Sequence, residues 1–435
     1  MRLNNWIGAY LLVLGAAGWG GCQASASRDC NSPGVVCAAG ARCDEGSGRC
    51  VCREDAAGSS CTCRSHQDCA SAVCQLSDKV IDGWRQGRCV PSDQVIYVDR
   101  NPSAALGCSA AANGSRLCPH ATLDAALAQV AASPSQRTIR VMGSWLPYDA
   151  PANLQDLALG VAGTQGPISI IGPMVHEQPT ALSKGTWRVE PPMGEAALDL
   201  SIEGLEFTGA GPVIVCDVGS CKMGNAACPR ITLRRSRFHD LASAVSGMAS
   251  VLHSQQQCVI ALDGNLFYRN TGTVLNIAAV QSFSLTNNVF AENMGTPLLR
   301  LRSNGVGAFQ FNSLLGNTGT VDCTADGLQL AASIVSTAAT SSPLGSTCMP
   351  TEGTSLSLSG VPDLRLQLGS LSDEAALAIA PYVVLADSPA RIVAATPTQP
   401  QLQWDYTGTA WSPQPGPRRT LGAIEYRPAM GSTAP

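Results

Sequence analysis

The sequence predicts an all-β fold, a right-handed parallel β-helix with an N-terminal capping helix, preceded by small disulfide-rich modules. Three observations predict it. Between Gln257 and Asn317 the chain repeats itself as VIALDGNLFYRN (259–270), FSLTNNVFAEN (283–293) and AFQFNSLLGN (308–317). The first Asn of each unit falls at Asn265, Asn288 and Asn312 and the second at Asn270, Asn293 and Asn317, with spacings of 23 and 24 in both series. A short β-type run feeding a turn at this period is the signature of a solenoid coil. Composition agrees, since 43 Gly and only 14% charged residues suit stacked short strands and turns. Finally, ten of the 19 cysteines crowd into 30–89, where segments too short to bury a core of their own need bridges.

From the N-terminus, MRLNNWIGAYLLVLGAAGWGGC carries one basic residue and then an apolar stretch from Trp6 to Trp19. That is too short for a spanning helix and predicts a secretion signal over 1–21. Gly20-Gly21 before Cys22 resembles the end of a bacterial lipoprotein signal, which would make Cys22 the lipidated residue and 22–29 a tether. Cleavage after Ala26, with Ala24 and Ala26 as the small-residue site, is the competing reading. Setting Cys22 aside leaves an even number of cysteines for an oxidising compartment. The expected location is therefore the outer membrane, surface- or periplasm-facing, with the lipid as the sole membrane contact. With 28 Lys+Arg against 32 Asp+Glu the net charge is −4, which offers no field for nucleic acid or a polybasic membrane patch.

Cys30, Cys37, Cys43, Cys50, Cys52 and Cys61 follow. Cys50-Val-Cys52, with Gly58 and Cys61 after it, resembles the signature that closes EGF-like domains, over 30–61. The resemblance implies bridges Cys30–Cys43, Cys37–Cys50 and Cys52–Cys61. Zinc sites need grouped His or CxxC pairs, which this segment lacks. Calcium-binding EGF-like domains want an acidic N-terminal strand, which Arg28-Asp29-Cys30 barely provides. No metal or cofactor is expected. Cys63, Cys69, Cys74 and Cys89 form a second module, 62–90, that resembles short Cys-rich segments ahead of bacterial surface β-helices. Its three possible pairings stay open. Both modules read as spacers.

The large domain, 95–427, opens with a strand at Val95–Asp99. Cys108 and Cys118 staple a surface loop. Thr122 caps a helix with Leu123, Ala126, Leu127 and Val130 on one face, a lid over the open end of the solenoid across 122–132. RTIRVMGSW (137–145), ISIIGP (168–173), ALDLSIEGLEF (197–207) and RITLRRSRF (230–238) continue the stack, for about ten coils in all. Cys216, Cys221, Cys228 and Cys258 bracket one insertion, and Cys323 and Cys348 pair across a Ser/Thr/Ala-rich excursion. The Pro-rich stretch 389–417 runs along the outside, because proline cannot donate to a central ladder; 428–435 is a tail. This order of strand, capping helix and rungs resembles the right-handed parallel β-helix family that includes pectate lyases. Trp404-Asp-Tyr-Thr-Gly408 and Leu421–Tyr426 resemble the closing strands of bacterial surface β-helix proteins of the choice-of-anchor type.

Within each repeat, Ile260 and Leu262, Phe283 and Leu285, and Phe309 and Phe311 point inward by alternation. Phe267, Phe290 and Leu314 form a second apolar column. Asn265, Asn288 and Asn312 are expected to be a stacked amide ladder serving backbone groups at the bend; the functional alternative has them gripping sugar hydroxyls.

The richest polar patch is Arg230, Arg234, Arg235, Arg237, His239 and Asp240. Polysaccharide lyases, whose fold the chain resembles, need a cation against the uronate carboxylate and a base for the C5 proton. Arg235, His239 and Asp240 are the candidates. The preferred reading is a strand edge with guanidinium groups over a neighbouring coil. The family's RxPxxR and a grouped set of calcium-binding Asp are missing. Asn270-Thr-Gly and Asn317-Thr-Gly carry Gly where polygalacturonases carry Asp, and neither an adjacent Asp pair nor GHG occurs. The five histidines, His66, His120, His176, His239 and His253, are not spaced as metal ligands, and Val245-Ser-Gly247 lacks the leading Gly of a nucleophile elbow. Trp145, Trp187, Trp404 and Trp411 are candidates for stacking on sugars, with packing as the plainer role. The expected function is thus non-enzymatic: a monomeric surface protein, binding or structural, that contacts carbohydrate. The rivals are a diverged polysaccharide lyase or glycoside hydrolase and an adhesin for surface proteins.

Overall fold

The structure, a computed structural model, describes residues 41–44, 49–52, most of 62–359 outside several connecting segments, and two last short strands, Leu366–Leu368 and Tyr382–Val384. The signal sequence, Cys22, the tether, most of the EGF-like module with its bridges, Cys221, Cys228, the Pro-rich stretch, the closing strands with Trp404 and Trp411, and the tail lie outside the described residues.

Three parallel sheets wind around one core. The first holds ten strands, from Val95–Val98 through Thr138–Val141, Ile168–Ile171, Asp199–Glu203, Arg230–Arg234, Val259–Asp263, Ser282–Thr286 and Val306–Gln310 to Gln329–Ala331 and Met349–Pro350. The second holds nine, from Ser144–Asp149 to Leu356–Ser359, and the third six, from Trp187–Val189 to Val321–Cys323. One full coil reads Val259–Asp263, corner, Leu266–Tyr268, corner, Thr273–Ala279, and then a return to Ser282–Thr286 directly above its own start. This is the expected parallel β-helix, and parallel crossovers of this kind favour the right-handed sense. Past the last coil the pairing changes, because Leu366–Leu368 runs antiparallel to Tyr382–Val384.

The lid is in place. Helix Leu123–Ala132 starts at Thr122, whose Oγ1 accepts from the Ala125 N–H at 3.2 Å, and it buries Leu123, Ala126, Leu127 and Val130 in the core. Inside the coils, register stacks like on like. Phe207, Phe238, Phe267 and Phe290 form one column with ring centroids 4.6–4.7 Å apart and planes within 12° of parallel. Each such pair adds about 0.5–1.5 kcal/mol beyond area burial. Trp187, fully buried, closes the column edge-on.

One predicted pairing is displaced by two residues. Phe283 stacks above Ile260 and Leu285 above Leu262, but on the next coil their partners are Gly307 and Phe309. The Phe283 ring fills the space of a side chain there: a Cβ on Gly307 would lie 2.6 Å from it. Phe311, also buried, occupies the corner in the left-handed region at φ 55°.

That corner conformation recurs. Arg235, Gly264, Asn287 and Phe311 at the first corner, and Asp240, Arg269, Glu292 and Gly316 at the second, all have φ between 48° and 67°. Each stands immediately before Ser236 or an Asn at the first corner and before Leu241 or an Asn at the second. The next residue turns its amide along the stack. The Asn288 Nδ2 donates to Leu262 O and to Asn312 Oδ1, both at 3.0 Å, while its own Oδ1 accepts from the Asn265 N–H and Nδ2. Asn265 Oδ1 takes the Ser236 N–H, and the Asn312 N–H ends on Ser333 Oγ. A second ladder, Asn270–Asn293–Asn317, repeats the pattern one corner on and begins with the Leu241 N–H on Asn270 Oδ1. All six amides are buried.

The second Cys-rich module is bridged Cys63–Cys74 and Cys69–Cys89, so the three clustered sulfurs of Cys63, Cys69 and Cys74 are committed to covalent bonds. Rather than a detached spacer, it is docked on the first coils. Val73 and Val90 pack with Val95, Tyr97 and Ile171. The Tyr97 hydroxyl donates to Ser71 O at 2.6 Å. Buried His66 accepts the Cys74 N–H on Nδ1 and donates from Nε2 to Gly172 O, both at 3.1 Å, and Arg140 Nη1 donates to the same carbonyl. Of the EGF-like segment, strands Ala41–Asp44 and Arg49–Cys52 pair antiparallel with Cys43 opposite Cys50. Bridges Cys108–Cys118, Cys216–Cys258 and Cys323–Cys348 staple the large domain. The last two are equivalent: each ties a third-sheet strand, at the same register position, to the residue just before a first-sheet strand two coils on.

Replacing Asn288 by Ala orphans buried donors and acceptors on both neighbouring coils, and denaturant unfolding should show a loss of roughly 1–3 kcal/mol. His66→Ala leaves the buried Cys74 N–H without its acceptor. The expected readout is faster proteolysis within 62–90 while the melting temperature of the coils stays near that of the native chain.

Candidate functional site

The predicted polar patch splits between two outer faces. Alternation puts Arg234 outward on the first sheet, in register between Glu203 and Asp263, so that charge alternates up the stack. Arg230 lies in register with Asp199. The Asp199 carboxyl is raised by burial, which outweighs the opposing pull of Arg230 and Arg137. Arg235, at its left-handed corner, is ion-paired with Glu203.

Arg237 and His239 face outward from the second sheet, where Phe238 between them faces in. Register places Arg237 beside Glu206 of the preceding coil and His239 beside Tyr268 of the next. His239 Nε2 donates to Glu206 Oε1 at 2.7 Å, and Nδ1 donates to Asp240 Oδ2 at 2.8 Å. Arg237 Nη1 lies 3.7 Å from the other Glu206 oxygen. The imidazole stacks on the Tyr268 ring at 4.9 Å, and Arg269 covers that ring while its Nη2 donates to Asp240 Oδ2 at 3.0 Å. Arg235, His239 and Asp240 are thus close in sequence but serve two separate networks.

Electrostatics follow from this packing. Burial depresses the His239 pKa, but its hydrogen bonds to Glu206 and Asp240 and their charges outweigh it, so the net shift is upward. Burial likewise pushes Glu206 up, and the His239 hydrogen bond with the nearby His239 and Arg237 charges overcomes it, holding the carboxylate below its usual range. The Tyr268 hydroxyl is pushed up, chiefly by burial. Below its raised pKa the ring is an imidazolium that donates to Glu206 and Asp240. A histidine held this way, with both nitrogens donating, has no lone pair with which to accept a substrate proton.

The hydrolase-like Asn-Thr-Gly pattern has a packing explanation. Gly272, Gly295 and Gly319 stack at successive coils. A Cβ on Gly295 would fall 2.0 Å from Gly272 O, and one on Gly319 would collide with Gly295 O. An aspartate does not fit at Gly319, and at Gly272 it would be strained by a φ of 86°.

Other predicted residues scatter. His120 is hydrogen-bonded to Gln129 under the lid, and His66 belongs to the docking contact. Trp187 is core, whereas Trp145 is 83% exposed on the second sheet. The ladder asparagines are buried and satisfied, out of reach of a ligand. Glu206, Tyr268 and Arg269 went unforeseen, since only the coil period, applied from His239, would point to them. Among the described residues no helix is long and apolar enough to cross a membrane. Comparison of the chain with protein-family models, curated proteins and solved structures finds no match.

The His239–Glu206 pair carries a pH signature. His239 has its pKa raised on folding, so its contribution is complete below the ordinary value of 6.5 and disappears as pH climbs through the folded value. Glu206 is depressed, so its contribution is complete above the ordinary 4.5 and disappears as pH drops through the folded value. The stability gap between the native chain and His239→Gln should therefore be widest between pH 4.5 and 6.5 and shrink on either side, as followed by urea unfolding across pH.

Proposed function

We propose that this chain is a secreted, lipid-anchored bacterial surface protein, akin to the pectate-lyase-like β-helix proteins its sequence resembles, that binds carbohydrate without turning it over. The observation that carries the non-enzymatic reading is the closed pairing of its most reactive-looking groups. His239 is spent on Glu206 and Asp240, and Arg235 on Glu203. Charge pairs of this kind clamp successive coils together, which is the structural role the sequence favoured. The glycine column where a related hydrolase would need carboxylates supports the same side.

In this reading the N-terminal lipid on Cys22 tethers the chain, the EGF-like module follows, and the docked second module seals the start of the solenoid. The rigid outer faces of the coils are the contacting surface, and the chain works as a monomer.

Incubation of the mature protein with polygalacturonate, alginate and neutral glycans should yield neither unsaturated products nor new reducing ends. Retention on at least one immobilised glycan is expected. Turnover lost in His239→Ala or Arg235→Ala would refute the non-enzymatic reading, and metabolic labelling with palmitate that persists in Cys22→Ala would refute the anchor.

A further inference from the structure

Trp145 is 83% exposed and Leu146, beside it, 55%. An indole left this open on a rigid scaffold is characteristic of contact surfaces, and its exposure is not slackness. Ser144 pairs with Ala181 and Tyr148 with Ser183, so 145–147 stand opposite Leu182 alone. Such a bulge re-aims side chains away from the sheet. Both of its ends are pinned. The Ser144 N–H donates to Thr180 O at 3.0 Å and the Leu146 N–H to Ser144 Oγ at 3.1 Å. The buried Tyr148 hydroxyl donates to Met142 O at 2.9 Å and accepts from the Arg100 N–H at 3.0 Å.

From this bulge a row of charges of alternating sign climbs the same outer face. Asp149 is paired with Arg100 and Lys184, each at 3.3 Å. Lys184 lies in register with Thr208, and further up come Asp240, its partner Arg269, and Glu292 at the second corner. Asp149, Lys184, Asp240 and Arg269 are each between 43% and 57% exposed. Neighbouring strands lie about 4.8 Å apart, so donors and acceptors recur at a pitch close to the length of one sugar unit.

We propose that this face, from Trp145 along the Asp149–Lys184 and Asp240–Arg269 pairs, binds a neutral glycan chain. The indole stacks on a sugar face, and the carboxylate–cation pairs exchange hydrogen bonds with hydroxyls. Paired charges suit such a ligand, since a guanidinium or ammonium bound to one carboxylate keeps further N–H donors and the carboxylate keeps lone pairs. The row sets Asp149, Asp240 and Glu292 against Arg100, Lys184 and Arg269, so it offers an acidic glycan no net cationic field. A protein partner would want a broader apolar centre than Trp145 and Leu146 supply. Because the bulge is held in place before binding, little ordering cost opposes association. This inference rests on the carbohydrate-binding reading above and assigns it a face and a ligand class.

The test is isothermal titration of the mature full chain with cellohexaose, xylohexaose, mannohexaose, chitohexaose and hexagalacturonate. At least one neutral hexasaccharide should bind, with affinity nearly unchanged from about 50 to about 500 mM NaCl. Trp145→Ala should weaken it roughly tenfold or more at an unchanged melting temperature, and Trp145→Phe should retain most of it. Neutral-glycan binding indifferent to Trp145→Ala would overturn the assigned face and leave the carbohydrate reading standing. Salt-sensitive binding of hexagalacturonate alone would overturn the ligand class. Failure of all five sugars to bind would overturn both.

Discussion

The corners of the coils impose the constraint on which the rest of this protein depends. A parallel solenoid must bend its backbone sharply at every turn, and each bend leaves N–H and C=O groups without strand partners inside a dry stack. Left unmade, each would cost on the order of 1–3 kcal/mol. The solution is a residue in the left-handed region followed by an asparagine whose amide serves the coils on both sides. Because the amide must meet its counterpart one coil on, the repeats that carry the ladders are held to 23 or 24 residues, and their strands begin in the same register. The phenylalanine column is a consequence, since register alone sets Phe207, Phe238, Phe267 and Phe290 face to face.

The same corners explain the charged residues. Of the non-glycine corner residues in the left-handed region, Asn287 and Phe311 are buried, whereas Arg235, Asp240, Arg269 and Glu292 carry charges. Pairs such as Arg269–Asp240 and Arg235–Glu203 form between coils. Groups that lie close together when read along the chain thus pair with residues of neighbouring coils, Arg235 with Glu203 and His239 with Glu206. A face left to contact other molecules must then be sought where packing does not use a side chain, and Trp145 is the clearest example.

Much of this was legible in the sequence because the ladder residues recur at a fixed interval and their neighbours alternate. The lid was legible because helical spacing and a capping threonine are local signals. What escaped depends on contacts between distant residues. Glu206 and His239 are 33 positions apart and meet only because one coil consumes about that length there. His66 reaches Gly172 across 106 positions, so nothing nearby in the chain distinguishes a docked module from a spacer. The displaced pairing at Phe309 and Phe311 has a local cause: Gly307 yields its space to Phe283, and inward alternation counted from large side chains alone passes over it. The second ladder was visible as a period, but its amide role required seeing the second corner.

The asparagine amides lock the backbone of the corners as firmly as sheet bonding locks the strands. Native-state hydrogen exchange at the backbone amides of Asn265, Asn270, Asn288 and Asn293 measures this directly. Each donates to the Oδ1 of the asparagine on the next coil at 3.0 Å or less. Protection at these four corner positions should equal that of Leu262 and Leu285 within the strands and be lost only through global unfolding. Exchange at the rate of an exposed turn would contradict it.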